Sequence, residues 1–382
     1  MLFSAISGHT ELKSTLIKNM NNGRIAHSLL FAGPEGCGSL ALALAYARYL
    51  RCDNPADNDS CGRCSSCIKM NKLVHPDVHL SFPMIKEDSK KKGISQELIS
   101  EFREAFLSNP FMNLDFWSDW IDAGNKSPTI YSEEASEIIR EIGLVSVEKG
   151  FKVFIIWLPE LMNVQAANRL LKTLEEPTEQ TVIILVSENP ENLLATIRSR
   201  VQVFRIKAYS PKECAHIVSG LSHKNEPDCL MAAEIAEGNV ALASWLVQNQ
   251  EESSEQLELF RGWMLDCYSF NISGLINRAE AFHKKGREWQ KGFLSYCLFM
   301  FRQTLLYNSA PELLRLAENE EAFLAKFARF FHDENYEQIS GFVNEAILHI
   351  ERNGNGRIVF FDTGLLIADL FRKEKQSVAT SS

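Results

Sequence analysis

Gly33-Pro34-Glu35-Gly36-Cys37-Gly38-Ser39-Leu40 decides how this 382-residue chain folds. It follows the apolar run Ser28-Leu29-Leu30-Phe31-Ala32 and precedes an Ala/Leu-rich helical stretch from Leu40 to Leu50. Strand, Gly-rich turn and helix form the order in which backbone N–H groups and a helix N-terminus cradle phosphates. Gly33, Gly36 and Gly38 stand where a phosphate loop needs them. The lysine expected after Gly38 is Ser39, and the Ser/Thr that would hold Mg²⁺ is Leu40. Without that cation and hydroxyl the loop loses its main grips on a nucleoside triphosphate, so ATP binding is expected to be absent or weak. On this stretch alone two readings stand: a nucleotide fold retired from catalysis, or an accidental glycine match.

A second stretch separates them. Lys152-Val153-Phe154-Ile155-Ile156 is β-branched and apolar, the composition of a buried strand in a parallel sheet. In a phosphate-loop ATPase such a strand ends in an Asp-Glu pair that positions Mg²⁺ and polarises the attacking water. Here those positions read Trp157-Leu158, and the nearest acid, Glu160, lies beyond Pro159, misplaced for the role. Ala166-Ala167-Asn168-Arg169-Leu170-Leu171-Lys172-Thr173-Leu174-Glu175-Glu176-Pro177 follows. After it come a second buried strand, Thr181 to Val186, and then Asn192-Leu193-Leu194-Ala195-Thr196-Ile197-Arg198-Ser199-Arg200-Val201. The Leu-Leu-Lys-Thr-Leu-Glu-Glu-Pro helix and turn closely resemble those of the bacterial clamp-loader AAA+ subunits. The last segment resembles the Ser-Arg-Cys segment of the same family, with Val201 for the cysteine.

Loss of the loop lysine, the Mg²⁺ hydroxyl and both acids, with Ser199-Arg200 kept, resembles the ATPase-defective, delta-prime-type branch of that family. The resemblance covers roughly residues 1–245, and the helical remainder more weakly. It implies one fixed arm of a ring that opens a sliding clamp and sets it on primed DNA. The implied partners are the tau/gamma-type ATPase subunits and the delta subunit, with the clamp and DNA met indirectly. It further implies that Arg200 acts in trans as an arginine finger on ATP held by the neighbouring ATPase subunit; the alternative for Arg200 is a structural salt bridge at a strand edge. Arg198 reads as structural, and Lys172 and Glu175 as packing and interface residues. In ATP-responsive relatives the helix after Gly238 carries a nucleotide-sensing arginine, and the corresponding position here is Ala241. Two rivals are a tau/gamma-type ATP-hydrolysing subunit, which the missing lysine and acids oppose, and a zinc-stabilised interaction module unrelated to replication. The second leaves the joint order of glycine loop, cysteine cluster, helix signature and Ser-Arg unexplained.

Bulk properties narrow the class. The formal net charge of −9 opposes a free-standing DNA binder, since phosphate contacts need clustered Lys/Arg. Any DNA contact is expected within an assembly, and a chain that never touches DNA is an equal reading. The hydrophobic share of 45% is ample for buried cores, and no apolar run has the length to span a bilayer. Met1-Leu2-Phe3-Ser4 lacks a signal-peptide pattern, so a cytoplasmic protein is expected.

Nine cysteines without a secretory signal do not suggest a disulfide framework. Cys52, Cys61, Cys64 and Cys67 have the spacing C-x8-C-x2-C-x2-C, in a polar segment with Asp53, Asp57, Asp59 and Gly62. Four thiolates make a closed tetrahedral shell suited to structural Zn²⁺, with no open position for catalysis. The bland reading is four unrelated thiols in a loop; the clamp-loader resemblance includes a zinc module directly after the phosphate-loop helix. His75 and His79 read as loop residues. Cys37, Cys214, Cys229, Cys267 and Cys297 read as ordinary thiols.

The expected architecture is α/β: a parallel-sheet AAA+ domain over 1–207 with the zinc module at 52–67 and an insert at 84–127. A helical lid follows over 208–250, then a C-terminal helical bundle, or collar, over 251–375 and a polar, frayed tail over 376–382. The strands are set at Leu29, Val153 and Val182, and Leu12, Leu16 and Ile17 make a helical stripe near the start. The insert holds Lys90-Lys91-Lys92, a helix from Gln96 to Leu107 and the aromatics Phe111, Phe116, Trp117 and Trp120. So aromatic a segment is expected to fold onto the domain, as a decoration on the sheet or as a partner-binding surface. Ser210-Pro211 reads as an N-cap followed by a first helical residue. Helices are expected around Asp228–Glu237 and Val240–Gln248. Leu257, Phe260, Trp263 and Met264, then Phe293, Cys297 and Phe301, then Val343 to Ile350 and Leu365 to Phe371, form the stripes of a bundle core.

Overall fold

In the computed structural model the apolar runs become strands of one parallel sheet. Described are residues 1–56, 58–86, 92–124, 126–248, 253–314, 316, 318–328 and 333–381. Asp57, Lys90 and Lys91 lie outside them. The strands are β1 (Ser28–Ala32), β2 (Val78–Ser81), β3 (Lys152–Trp157), β4 (Thr181–Ser187) and β5 (Gln202–Arg205), in the order β2-β3-β4-β1-β5. All neighbours pair in parallel, with Ser28 opposite Ile183 and Lys152 opposite Thr181.

Alternation along each strand feeds two cores, because successive side chains point to opposite faces. Leu29, Phe31, Val153, Ile155, Trp157, Val182, Ile184 and Val186 pack on one face with the helix Ser39–Arg51 and the insert. Leu30, Ala32, Phe154, Ile156, Ile183 and Leu185 pack on the other with the helices Ser132–Gly143 and Val164–Glu175. Burial on both faces explains why β1, β3 and β4 read as unbroken apolar runs. The edge strands β2 and β5 escape that reading: each is four residues long, carries polar side chains and is only partly buried. His79 therefore stands on a strand, not in a loop, and stacks on Phe154 with ring centroids 4.5 Å apart.

The insert folds onto the sheet. Its helices are Ile99–Ser108 and Leu114–Trp120, the first preceded by a 3₁₀ turn over Ser95–Leu98. Phe82 stacks on Phe102 at 4.0 Å, and Trp117 meets both edge-on at 5.2 and 5.4 Å. The Trp117 indole N–H donates to the Pro83 carbonyl at 2.7 Å, which removes the cost of burying it.

By packing, the chain divides into two units, Met1–Glu213 with Gly238–Ala241, and Cys214–Glu237 with Leu242–Ser382. The second unit is helical throughout its regular structure. Its core gathers Phe260, Trp263, Phe293, Phe301, Val343, Phe360 and Ile367. Ser210 caps its helix as expected: its hydroxyl accepts from Glu213 N–H at 3.3 Å while the Glu213 carboxylate accepts from Ser210 N–H at 3.0 Å. The last helix, Gly356–Ser381, runs through the tail expected to fray. Residues 373–381 hold no glycine or proline and several good helix formers, so nothing local stops it.

Candidate functional site

The glycine loop is built by the end of β1 and the start of the helix Ser39–Arg51. Gly33 N–H donates to Ser187 O at 3.1 Å, so the loop leaves the sheet beside the end of β4. Gly36 and Gly38 have φ of +70° and +77°, left-handed conformations that side chains resist. Space demands glycine as well, since a Cβ on Gly36 would lie 2.0 Å from Asn239 Oδ1. His9 Nε2 donates to Cys37 O at 2.9 Å, and burial holds the His9 imidazole below its ordinary pKa. Burial also pushes the Cys37 thiol up to about 12.

At the end of β3, Trp157 and Leu158 point into the core, 1% and 2% exposed. Trp157 meets the insert's Phe102 at 5.7 Å. Glu160 turns the other way, accepting the amides of Glu188 and Asn189 at 2.9 Å each. Burial raises its pKa. It caps the end of β4, a structural task, as its position beyond Pro159 suggests.

Arg200 follows the short helix Ala195–Arg198. Its Nε donates to Glu175 Oε2 at 3.0 Å and one Nη to Thr196 O at 3.0 Å, while Nη2 has no partner among the described residues. The Arg200 and Glu175 side chains are 32% and 57% exposed, so their ion pair is worth about 0–1 kcal/mol and opens at little cost. Arg198 instead binds Glu191. Lys172 lies in the last turn of the helix that carries Glu175.

The four clustered cysteines converge. Cys52 ends the helix Ser39–Arg51, and Cys64 caps the helix Ser65–Asn71. Their sulfurs, with those of Cys61 and Cys67, all lie within 4.8 Å of one another. Amides aim at the sulfurs: Cys61 N–H at Cys52, Cys64 N–H at Cys61, and Cys67 N–H at Cys64, at 3.2, 3.4 and 3.4 Å. The Arg63 and Cys64 amides lower the Cys61 thiol to about 6, whereas burial raises Cys52 to about 12. Such a set could hold a metal ion. Asp59 ties this module to the chain start by accepting the amides of Phe3 and Ser4 at 3.1 and 2.9 Å.

Sequence reading passed over a buried ionic group beside the module. Arg51 Nη2 pairs with Asp77 at 3.3 Å, and Asp77 also accepts the amides of Val147 and Glu148 at 2.7 and 2.9 Å. Asp77 N–H donates to His75 Nδ1 at 3.1 Å, Arg51 Nε donates to His75 Nε2 at 3.3 Å, and Glu148 lies 3.2 Å from the same Nε2. No motif or spacing marks these residues; only the folded chain brings them together.

Residues 8–210 match the family described as DNA polymerase III, delta subunit. The chain is 31% identical over 175 residues to DNA polymerase III subunit delta' of Pseudomonas aeruginosa, covering 46% of this chain and 41% of that protein. It is 32% identical over 222 residues to subunit delta' of Escherichia coli K12, covering 57% and 53%. Subunit tau of Bacillus subtilis is 24% identical over 381 residues, 94% of this chain and 60% of that protein. The chain thus spans about half the length of the curated relatives it matches. A solved structure of a DNA polymerase III gamma subunit-related protein from Thermotoga maritima aligns over 94% of this chain and 98% of its own, at 16% identity. Its TM-score of 0.31 is too low to carry any argument.

Proposed function

This chain belongs to the DNA polymerase III delta-subunit family of clamp-loader proteins, as a delta-prime-type member, and we propose that it is a non-hydrolysing subunit of the replicative clamp loader. The observation that carries this is the state of the two catalytic positions: Ser39 and Leu40 replace the loop's cation and metal ligand, and Trp157 and Leu158 in the core replace the acids. At those four positions no side chain neutralises a γ-phosphate, holds Mg²⁺ or polarises water.

Its chemical contribution is lent to a neighbour. Arg200 leaves its exposed pairing with Glu175 and reaches the γ-phosphate of ATP bound by an adjacent tau/gamma-type subunit. There a guanidinium supplied across a subunit boundary stabilises charge on the transferring phosphoryl group. The delta subunit is a further partner, and the sliding clamp and primed DNA are met through the assembly, in the cytoplasm. The division into an AAA+ domain over 1–207, a lid over 208–250 and a collar over 251–375 belongs to this reading.

Cys52, Cys61, Cys64 and Cys67 hold a structural Zn²⁺ in it. A Zn–S bond of about 2.3 Å sets tetrahedral S···S edges of roughly 3.8 Å, and Cys61 and Cys67 have sulfurs 4.0 Å apart. Bound there, the ion fixes the module's fold and takes no part in hydrolysis. The rival reading, an ATP-hydrolysing tau/gamma-type subunit, is separated by turnover. The purified chain should release phosphate from Mg·ATP no faster than buffer; sustained release that a Gly36→Asp variant abolishes would sink the proposal.

A further inference from the structure

The glycine loop is covered on several sides by its own chain. From within, the Cys37 sulfur lies 2.7 Å from where a Cβ on Gly33 would stand. Cys37 is 1% exposed, so its thiol fills the inner side of the loop. From above, the Phe111 ring and the Tyr209 hydroxyl lie 3.0 and 2.9 Å from where a Cβ on Gly38 would stand. Phe111 meets Tyr209 edge-on at 6.1 Å, and Tyr209 meets His9 at 4.6 Å. At the mouth, Glu35 Oε1 accepts from Asn113 Nδ2 and Asn239 Nδ2, each at 3.1 Å.

This cover is anchored in the core. Asn113 is buried, and its Oδ1 accepts the Phe116 amide at 2.9 Å, capping the helix Leu114–Trp120. Trp117 of that helix seats in the aromatic cluster of Phe82, Phe102 and Trp157. The tryptophan that stands where a catalytic acid would be is therefore part of the socket holding the cover.

We propose that residues 109–117 of the insert, with Tyr209 and Asn239, are a built-in plug that fills the nucleotide cradle and shuts out nucleoside triphosphates. The insert is then neither ornament nor partner surface: it replaces the ligand that such a loop would otherwise need for its order. This deepens the non-hydrolysing reading and relies on it only for the expectation that no turnover follows. Loss of the lysine alone does not account for the closed cradle, because Ser39 leaves more room than lysine.

The test uses the full chain. Ser39→Lys returns the cation and leaves the plug; Ser39→Lys with Phe111→Ala and Asn113→Ala returns the cation and removes the plug. Each is titrated with a fluorescent ATP analogue and Mg²⁺. The single variant should bind no better than the unaltered protein, and the triple variant at least about tenfold tighter than the single. Equal affinity in the two variants overturns the plug. Phosphate release from the unaltered protein is read separately and bears on the non-hydrolysing role alone. Should the triple variant not fold, Phe111→Ala decides by the alkylation rate of Cys37, followed by peptide mass spectrometry. A rise of about tenfold or more is expected, from removing the ring over the loop; an unchanged rate overturns the proposal.

Discussion

Trp157→Asp returns an acid to the end of β3, and it should unfold the first unit without awakening an ATPase. Trp157 is 1% exposed and meets Phe102 at 5.7 Å. Emptying such a site costs about 3–5 kcal/mol, and the lost ring contact roughly 0.5–1.5 kcal/mol more. The new carboxylate faces an apolar cluster, a further cost of several kcal/mol whether it stays charged or takes a proton. The sum reaches or exceeds much of the 5–15 kcal/mol that typically holds a domain together (about 0.1 kcal/mol per residue). Urea unfolding followed by circular dichroism measures it, with Trp157→Phe as the control that keeps an aromatic in place. The aspartate variant should be largely unfolded in buffer and the phenylalanine variant folded. An aspartate variant within about 1 kcal/mol of the unaltered chain would refute the argument that this position has passed from catalysis to the core.

Metal analysis should find about one Zn²⁺ per chain, lost in Cys64→Ser, with a lower Tm and no activity gained or removed; metal-free protein from a reducing, chelator-free preparation contradicts this. Burial holds the imidazoles of His9, His75 and His79 below their ordinary pKa of 6.5. Above about 6.5 both states are neutral and stability is full; as pH falls below it the unfolded chain gains protons the folded chain refuses, and Tm drops. His79→Phe, which keeps an aromatic against Phe154, should flatten that drop, and an unchanged slope would count against the assignment.

The fold was legible where burial is two-sided. β1, β3 and β4 announce themselves as apolar runs because helices cover both faces of the sheet. β2 and β5 do not, since edge strands carry polar side chains such as His79, Gln202 and Arg205. The cysteine cluster was legible because its spacing is local, with three ligands inside seven residues. Arg51 and Asp77 were not, because each is ordinary in its own neighbourhood and significant only once the helix Ser39–Arg51 meets the turn before β2. The grip of Asn113 and Asn239 on Glu35 was hidden for the same reason. Two asparagines separated by more than a hundred residues share one carboxylate oxygen, and no periodicity reports that.

The claim that this chain lends chemistry it does not own is tested most directly in a loader reconstituted with active ATPase subunits, a sliding clamp and primed DNA. Arg200→Ala should leave assembly intact and lower clamp-stimulated ATP turnover, by as much as about 10³-fold if the finger is fully engaged. Glu175→Gln is the control. It breaks the same exposed ion pair and removes no charge from the neighbour's phosphate, so turnover should stay near that of the unaltered loader. Normal turnover with Arg200→Ala, or an equal loss with Glu175→Gln, would contradict the account and leave Arg200 as one half of a structural salt bridge.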